Sequence, residues 1–101
     1  MILMVGGEVS ALWAEHLELT FPDALRWLDA PSGESVAALD ACVAGCISAY
    51  LRGGTLDSER RSALNGLLSD LRGVLPRLSG EGAEYVARLL RMAELVDAAL
   101  R

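Results

Sequence analysis

One histidine, two cysteines and two tyrosines are the residues of this chain whose side chains are best suited to chemistry. His16 could act as a general acid or base, with Tyr50, Tyr85 or an arginine polarising a substrate. That role needs a positioned nucleophile and a group that orients the imidazole. Glu15 and Glu18 are close in sequence but point to other faces of the same helical segment, so neither orients it. The preferred reading is a hydrogen-bonded histidine at the edge of an apolar helix face. Cys42 and Cys46 share a helical face and could bind a metal together with His16. Tetrahedral zinc draws its cysteine pairs from a loop knuckle, however, whereas Val43-Ala44-Gly45 between these two belongs to a helix. Two small buried hydrophobes are the preferred reading for the pair. The spacing is also one residue longer than that of a redox dithiol. Gly6-Gly7 and Gly53-Gly54 lack the flanking pattern of a phosphate loop, and Asp40 is explained as a helix cap. No catalytic, cofactor-binding or metal-binding residue is assigned, and no cofactor is expected.

Charge narrows the partners. Fourteen acidic residues oppose nine basic ones, giving a net charge of −5. Nucleic acid needs clustered positive charge, and the adjacent pair Arg60-Arg61 sits beside Asp57 and Glu59, so nucleic acid is not an expected partner. Every basic residue other than His16 is arginine, a bias expected of a GC-rich genome. Ala41–Ile47, the longest apolar run, is far shorter than the roughly 18–20 residues a membrane span needs. Met1–Val5 is apolar but lacks the basic flank of a signal peptide. A cytoplasmic, reduced protein with no membrane partner is the expectation.

These residues must be positioned by helices. The chain reads as one domain over residues 1–101, mainly α, a compact bundle of about four helices behind an apolar arm at 1–7. Val9, Leu12, Trp13, His16 and Leu17 recur at helical spacing and predict a helix over about 8–19. Asp40 before the apolar Ala41–Ile47 predicts a second over 41–52, stopped by Gly53-Gly54. Asp57 or Thr55 caps a third over 57–75, whose stripe Leu64, Leu67, Leu68, Leu71, Val74 and Leu75 ends at Pro76. The fourth, over 81–100, carries Tyr85, Val86, Leu89, Leu90, Ala93, Val96 and Leu100. Asp57/Arg61, Glu84/Arg88 and Asp97/Arg101 have the spacing of helix-surface ion pairs, each contributing about 0.2–0.5 kcal/mol.

Residues 24–39 admit two readings. Pro31-Ser32-Gly33 is a turn signal, and with Asp40 as cap the flanking segments form a short β-hairpin over about 26–39. Alternatively, Ala24–Asp29 is a short helix and Ser35 caps a longer second helix, since Ala37 and Ala38 are poor strand residues. The hairpin is preferred because of Asp40. A second pattern concerns packing. Ser62, Gly66, Ser69 and Gly73 form a small-residue stripe on the third helix, and Ala41, Gly45 and Ser48 form one on the second. Glycine within a helix costs about 0.5–1 kcal/mol relative to alanine, so these stripes predict closely approaching helix neighbours.

Leu12-Trp13-Ala14-Glu15-His16-Leu17, Phe21-Pro22, Leu39-Asp40-Ala41, Leu51-Arg52-Gly53-Gly54 and Val74-Leu75-Pro76 together resemble a group of small, mostly helical proteins of high-GC bacteria. The resemblance spans most of the chain and implies a fold layout, with no activity attached. In that group the segment before the Asp-Ala pair is richer in β-branched residues, which favours the hairpin there and weakens it for Glu34–Ala38 here.

The combined expectation is a non-catalytic protein-interaction module. It would be an acidic immunity or antitoxin-type inhibitor, or an accessory subunit of a neighbouring enzyme, binding another protein. The alternatives are the small cofactor-free enzyme built on His16 and a structural homodimer. Apolar residues with no evident place in a four-helix core mark the expected partner surface: Ile2, Leu3, Val5, Phe21, Trp27 and Leu28.

Overall fold

A computed structural model describes residues 4–101, with side chains from Gly7 onward. Ile2 and Leu3, two of the expected partner-surface residues, lie outside the described residues, as does the side chain of Val5. Four helices account for most of the chain: α1 (Met4–Leu17), α2 (Val36–Gly53), α3 (Ser58–Val74) and α4 (Gly80–Ala99). Single 3₁₀ turns at Asp23–Leu25 and Leu75–Arg77 join α1 to α2 and α3 to α4. Helix α4 packs against the other three. Its buried face, Tyr85, Val86, Leu89, Met92, Ala93, Leu95 and Val96, meets Leu64, Leu67, Leu68, Leu71 and Val74 of α3 in the core. Fully burying each such Leu or Val contributes about 1.5–3 kcal/mol.

The helix ends follow from local chemistry. Ser35, in extended backbone, caps α2 by accepting the Ala38 N–H at 3.1 Å. Gly54 closes the same helix in the left-handed conformation, φ 77°, which a Cβ would disfavour. The Asp57 carboxylate caps α3 by accepting the Arg60 N–H at 2.8 Å. Pro76 cannot extend α3, and the backbone tightens into the 3₁₀ turn there.

Several expectations are overturned. The expected N-terminal arm is helical from Met4, so α1 starts earlier than residue 8. The hairpin over 26–39 does not form. Its antiparallel pairing reduces to one bridge between Asp29 and Ser35 around the Pro31–Gly33 turn. Residues 36–39 are the first turn of α2, because Ser35 rather than Asp40 is the cap. The small-residue stripes do not let helices close on one another: open space lies beside the positions where Gly45 and Gly66 would carry a Cβ. Of the three stripe glycines only Gly73 faces a close neighbour, the ring of Pro31, 3.3 Å from the position of its Cβ.

Of the three expected ion pairs, Asp97–Arg101 forms at 2.5 Å. Asp57 instead takes Arg60, while the Arg61 guanidinium donates to the Leu100 carbonyl. Arg88 leaves Glu84 and turns to Glu15 of α1 at 3.6 Å.

Helix α2 is also long and apolar enough, with mean hydropathy 1.3 over its 18 residues, to cross a membrane by length and composition. In the bundle its apolar residues Val36, Leu39, Val43, Cys46 and Ile47 are buried core.

Candidate functional site

Beginning α2 at Val36 moves Asp40 from a cap into the second turn, one helical turn (i+4) after the buried Val36. The carboxylate therefore points toward the interior, with only 21% of the side chain exposed. There it meets two polar residues from other helices. The Tyr85 hydroxyl of α4 donates to Asp40 Oδ2 at 3.0 Å. The imidazole Nε2 of His16, in the last turn of α1, stands 3.4 Å from Asp40 Oδ1. This approach lacks hydrogen-bond geometry: Asp40 Oδ1 and His16 Nδ1 are both buried without a hydrogen-bond partner.

Aromatic rings enclose the cluster. Trp13 stacks over His16 with centroids 6.0 Å apart, His16 lies 4.7 Å from the Tyr85 ring, and Phe21 meets Tyr85 edge-on at 5.5 Å. Burial raises the Tyr85 phenol well above its ordinary value; the Asp40 charge and the hydrogen bond to it raise it further, while Arg88 opposes. Tyr85 is thus a protonated donor, suited to holding a carboxylate and unsuited to acting as a base.

The structure brings His16 and Tyr85 together and leaves Tyr50 apart. Tyr50 is half-buried on the same helix as Asp40 but about 15 Å further along its axis. Cys42 and Cys46 face a different neighbour. They line a groove between α2 and α3 with Glu59, Arg60 and Leu67, Cys42 exposed and Cys46 buried. Burial pushes the Cys46 thiol up, with the nearby Arg60 acting against it. Among the described residues no group of three His, Cys, Asp or Glu side chains could hold a metal ion.

Reading the residues alone missed Asp40, because a carboxylate ahead of an apolar run is usually a cap. Its signal was there: four residues after Val36 and seven before Ile47, it falls beside the apolar face once the helix starts at Val36.

Outside the cluster, the connection between α1 and α2 carries the other notable feature. Trp27 is 90% exposed, and Leu17 and Leu19 are exposed at 64% and 44%. Phe21 and Leu28, by contrast, are half-buried against the core. Trp27 is held on a defined turn. The Leu28 N–H donates to the Leu25 carbonyl, that of Val36 to Leu28 and that of Ala30 to Glu34, while Arg77 reaches across to donate to the Asp29 carbonyl at 3.3 Å.

Two hollows flank the start of this connection. One, about 100 Å³, is lined by Thr20, Glu81, Glu84, Tyr85 and Arg88 among others. The other, about 330 Å³, is lined by Thr20, Phe21, Pro22, Asp23, Ala24 and Glu81. The smaller one reaches the polar cluster through Tyr85; His16 and Asp40 are not part of its lining. No family model, curated protein or solved structure matches this chain.

Proposed function

We propose that the chain is a non-catalytic protein-interaction module that binds a basic protein through the connection between α1 and α2. The observation that carries this reading is Trp27, whose indole is almost wholly in solvent although the backbone beneath it is tied down by hydrogen bonds. An exposed Trp on a pre-organised turn sacrifices burial within the monomer, and Trp is among the residues that most often dominate binding energy at interfaces. The same stretch bears the carboxylates of Glu18, Asp23, Asp29 and Glu34 against the single cation Arg26, which is already paired with Asp23 at 2.8 Å. With a net charge of −5, this face would attract a basic partner and speed its association. An immunity or antitoxin-type inhibitor, or a stabilising subunit of another enzyme, fits that chemistry.

In this reading the His16–Asp40–Tyr85 cluster cross-braces three helices beneath the connection. The test is affinity capture from extracts of the encoding organism with the wild-type chain and Trp27→Ala in parallel, followed by light scattering of the purified protein. A basic protein retained by the wild type and lost by Trp27→Ala, with retention weakening as salt rises, is the expected result. Equal retention by both chains refutes the reading. A dimer that Trp27→Ala converts to monomer would replace it with self-association.

A further inference from the structure

We infer that the hollow between the α1–α2 connection and the first turn of α4 receives an arginine side chain from the same partner that covers Trp27. This inference rests on the interaction reading and names the chemistry of the contact.

Three observations converge there. The two hollows share Thr20, Pro22 and Glu81, so they adjoin. Their walls are unequal in charge. Among the described residues Glu81 and Glu84 make no ion pair, whereas the cation in the lining, Arg88, is already drawn to Glu15 at 3.6 Å. The aromatic wall open to a ligand is the half-buried Phe21 of the larger hollow; Tyr85, behind the smaller one, is buried with its ring packed against His16 and Phe21.

Carboxylates beside an aromatic ring suit a guanidinium better than an ammonium. The planar fork can bond a carboxylate through two N–H groups and lay its face on a ring, while an ammonium offers only a point charge.

The hollow and Trp27 fit under one partner. Ala24, in the lining, is three residues before Trp27, so their Cα atoms lie within about 11 Å of one another. A standard interface covers about 800 Å² on each side, enough for both. The place is also firmly built: Leu25, between them, is fully buried and sits against Gly82 of α4, its Cδ2 3.1 Å from where a Cβ would stand.

The experiment is an amide chemical-shift titration of the full chain with acetyl-Leu-Arg-Leu-amide and with its citrulline analogue, a neutral isostere, at fixed ionic strength. The arginine peptide is expected to move the amides of Thr20, Ala24, Glu81 and Tyr85 together with the Trp27 indole. The citrulline peptide should bind at least about fivefold more weakly, as should the arginine peptide to the Glu81→Gln/Glu84→Gln variant. Both substitutions are at exposed positions, and an unchanged spectrum of the free variant checks that it folds. Equal shifts from both peptides, shifts scattered over carboxylates elsewhere such as Asp70 and Glu94, or no shifts at all would each overturn the inference. These outcomes are independent of Trp27-dependent capture. If capture stands while the arginine preference fails, the interaction face remains and its arginine does not; if the preference stands while capture fails, the hollow remains and the module reading does not.

Discussion

The Tyr85 hydroxyl and the Asp40 carboxylate are each worth more to this protein buried together than either would be alone. A net contribution of about 2 kcal/mol is typical of a hydrogen bond to a charged group, and removing one partner strands the other. Tyr85→Phe leaves Asp40 with the poorly aligned His16 as its remaining partner, so a loss of about 2 kcal/mol in chemical denaturation is expected. The pH dependence has a definite sign. Tyr85 holds its proton in the folded chain above the ordinary tyrosine value, because of burial first and Asp40 second. The unfolded chain releases that proton near pH ~10. Stabilisation from this group is therefore complete below about pH 10 and declines as pH rises beyond it. Denaturation midpoints should fall more steeply above that pH in the wild type than in Tyr85→Phe; parallel curves would show that the phenol is not held up by its site. Part of this cluster was legible in the residues. His16 was expected as a hydrogen-bonded residue at the edge of an apolar face; it is buried there but makes no side-chain hydrogen bond among the described residues, and its neighbour Asp40 comes from another helix, where no spacing rule reaches.

Helix α2 shows how one cap decides an element. Ser35 and Asp40 are both good caps, and the choice between them sets whether residues 36–39 are extended or helical. The chain takes Ser35, and tertiary contacts explain why. Starting there buries Val36 and Leu39 and delivers Asp40 to Tyr85, whereas starting at Asp40 would spend the carboxylate on a backbone N–H. Ser35→Ala should cost about 1 kcal/mol, with helix content lost first at 36–39 by amide exchange; unchanged protection there would show that packing alone holds the turn. Helix α3 offers the opposite case. Its stripe of buried leucines was readable because the 3.6 period is a property of the segment itself. Its small-residue stripe was misread, because a glycine on a helix shows only that something could approach. With open space beside Gly66, Gly66→Ala should raise stability by about 0.5–1 kcal/mol in thermal or chemical denaturation. A loss instead would mean that the space is used.

Across the whole molecule, stability and the proposed activity are carried by different residues. Leu89→Ala, deep in the face that α4 presents to the core, should cost about 2–5 kcal/mol. Trp27→Ala should stay within about 0.5 kcal/mol of the wild type, since almost none of its side chain is buried. Measured denaturation curves that rank these two the other way would show that Trp27 serves the fold and would remove it as a docking residue. The acidic balance likewise belongs to this scale. In the proposed reading it would draw a basic partner, and it says nothing about which helix meets which.

From the sequence alone came the helical class, the number of helices, the stop signals at Gly54 and Pro76, and the buried stripes of α3 and α4. Each depends on neighbours within a few residues along the chain. Only the tertiary structure decided the start of α2, the meeting of His16 with Asp40 and Tyr85, the exchange of Arg60 for Arg61 and of Glu15 for Glu84 in the ion pairs, and the exposure of Trp27. Those depend on residues far apart in the chain, whose approach is settled by how four helices share one core.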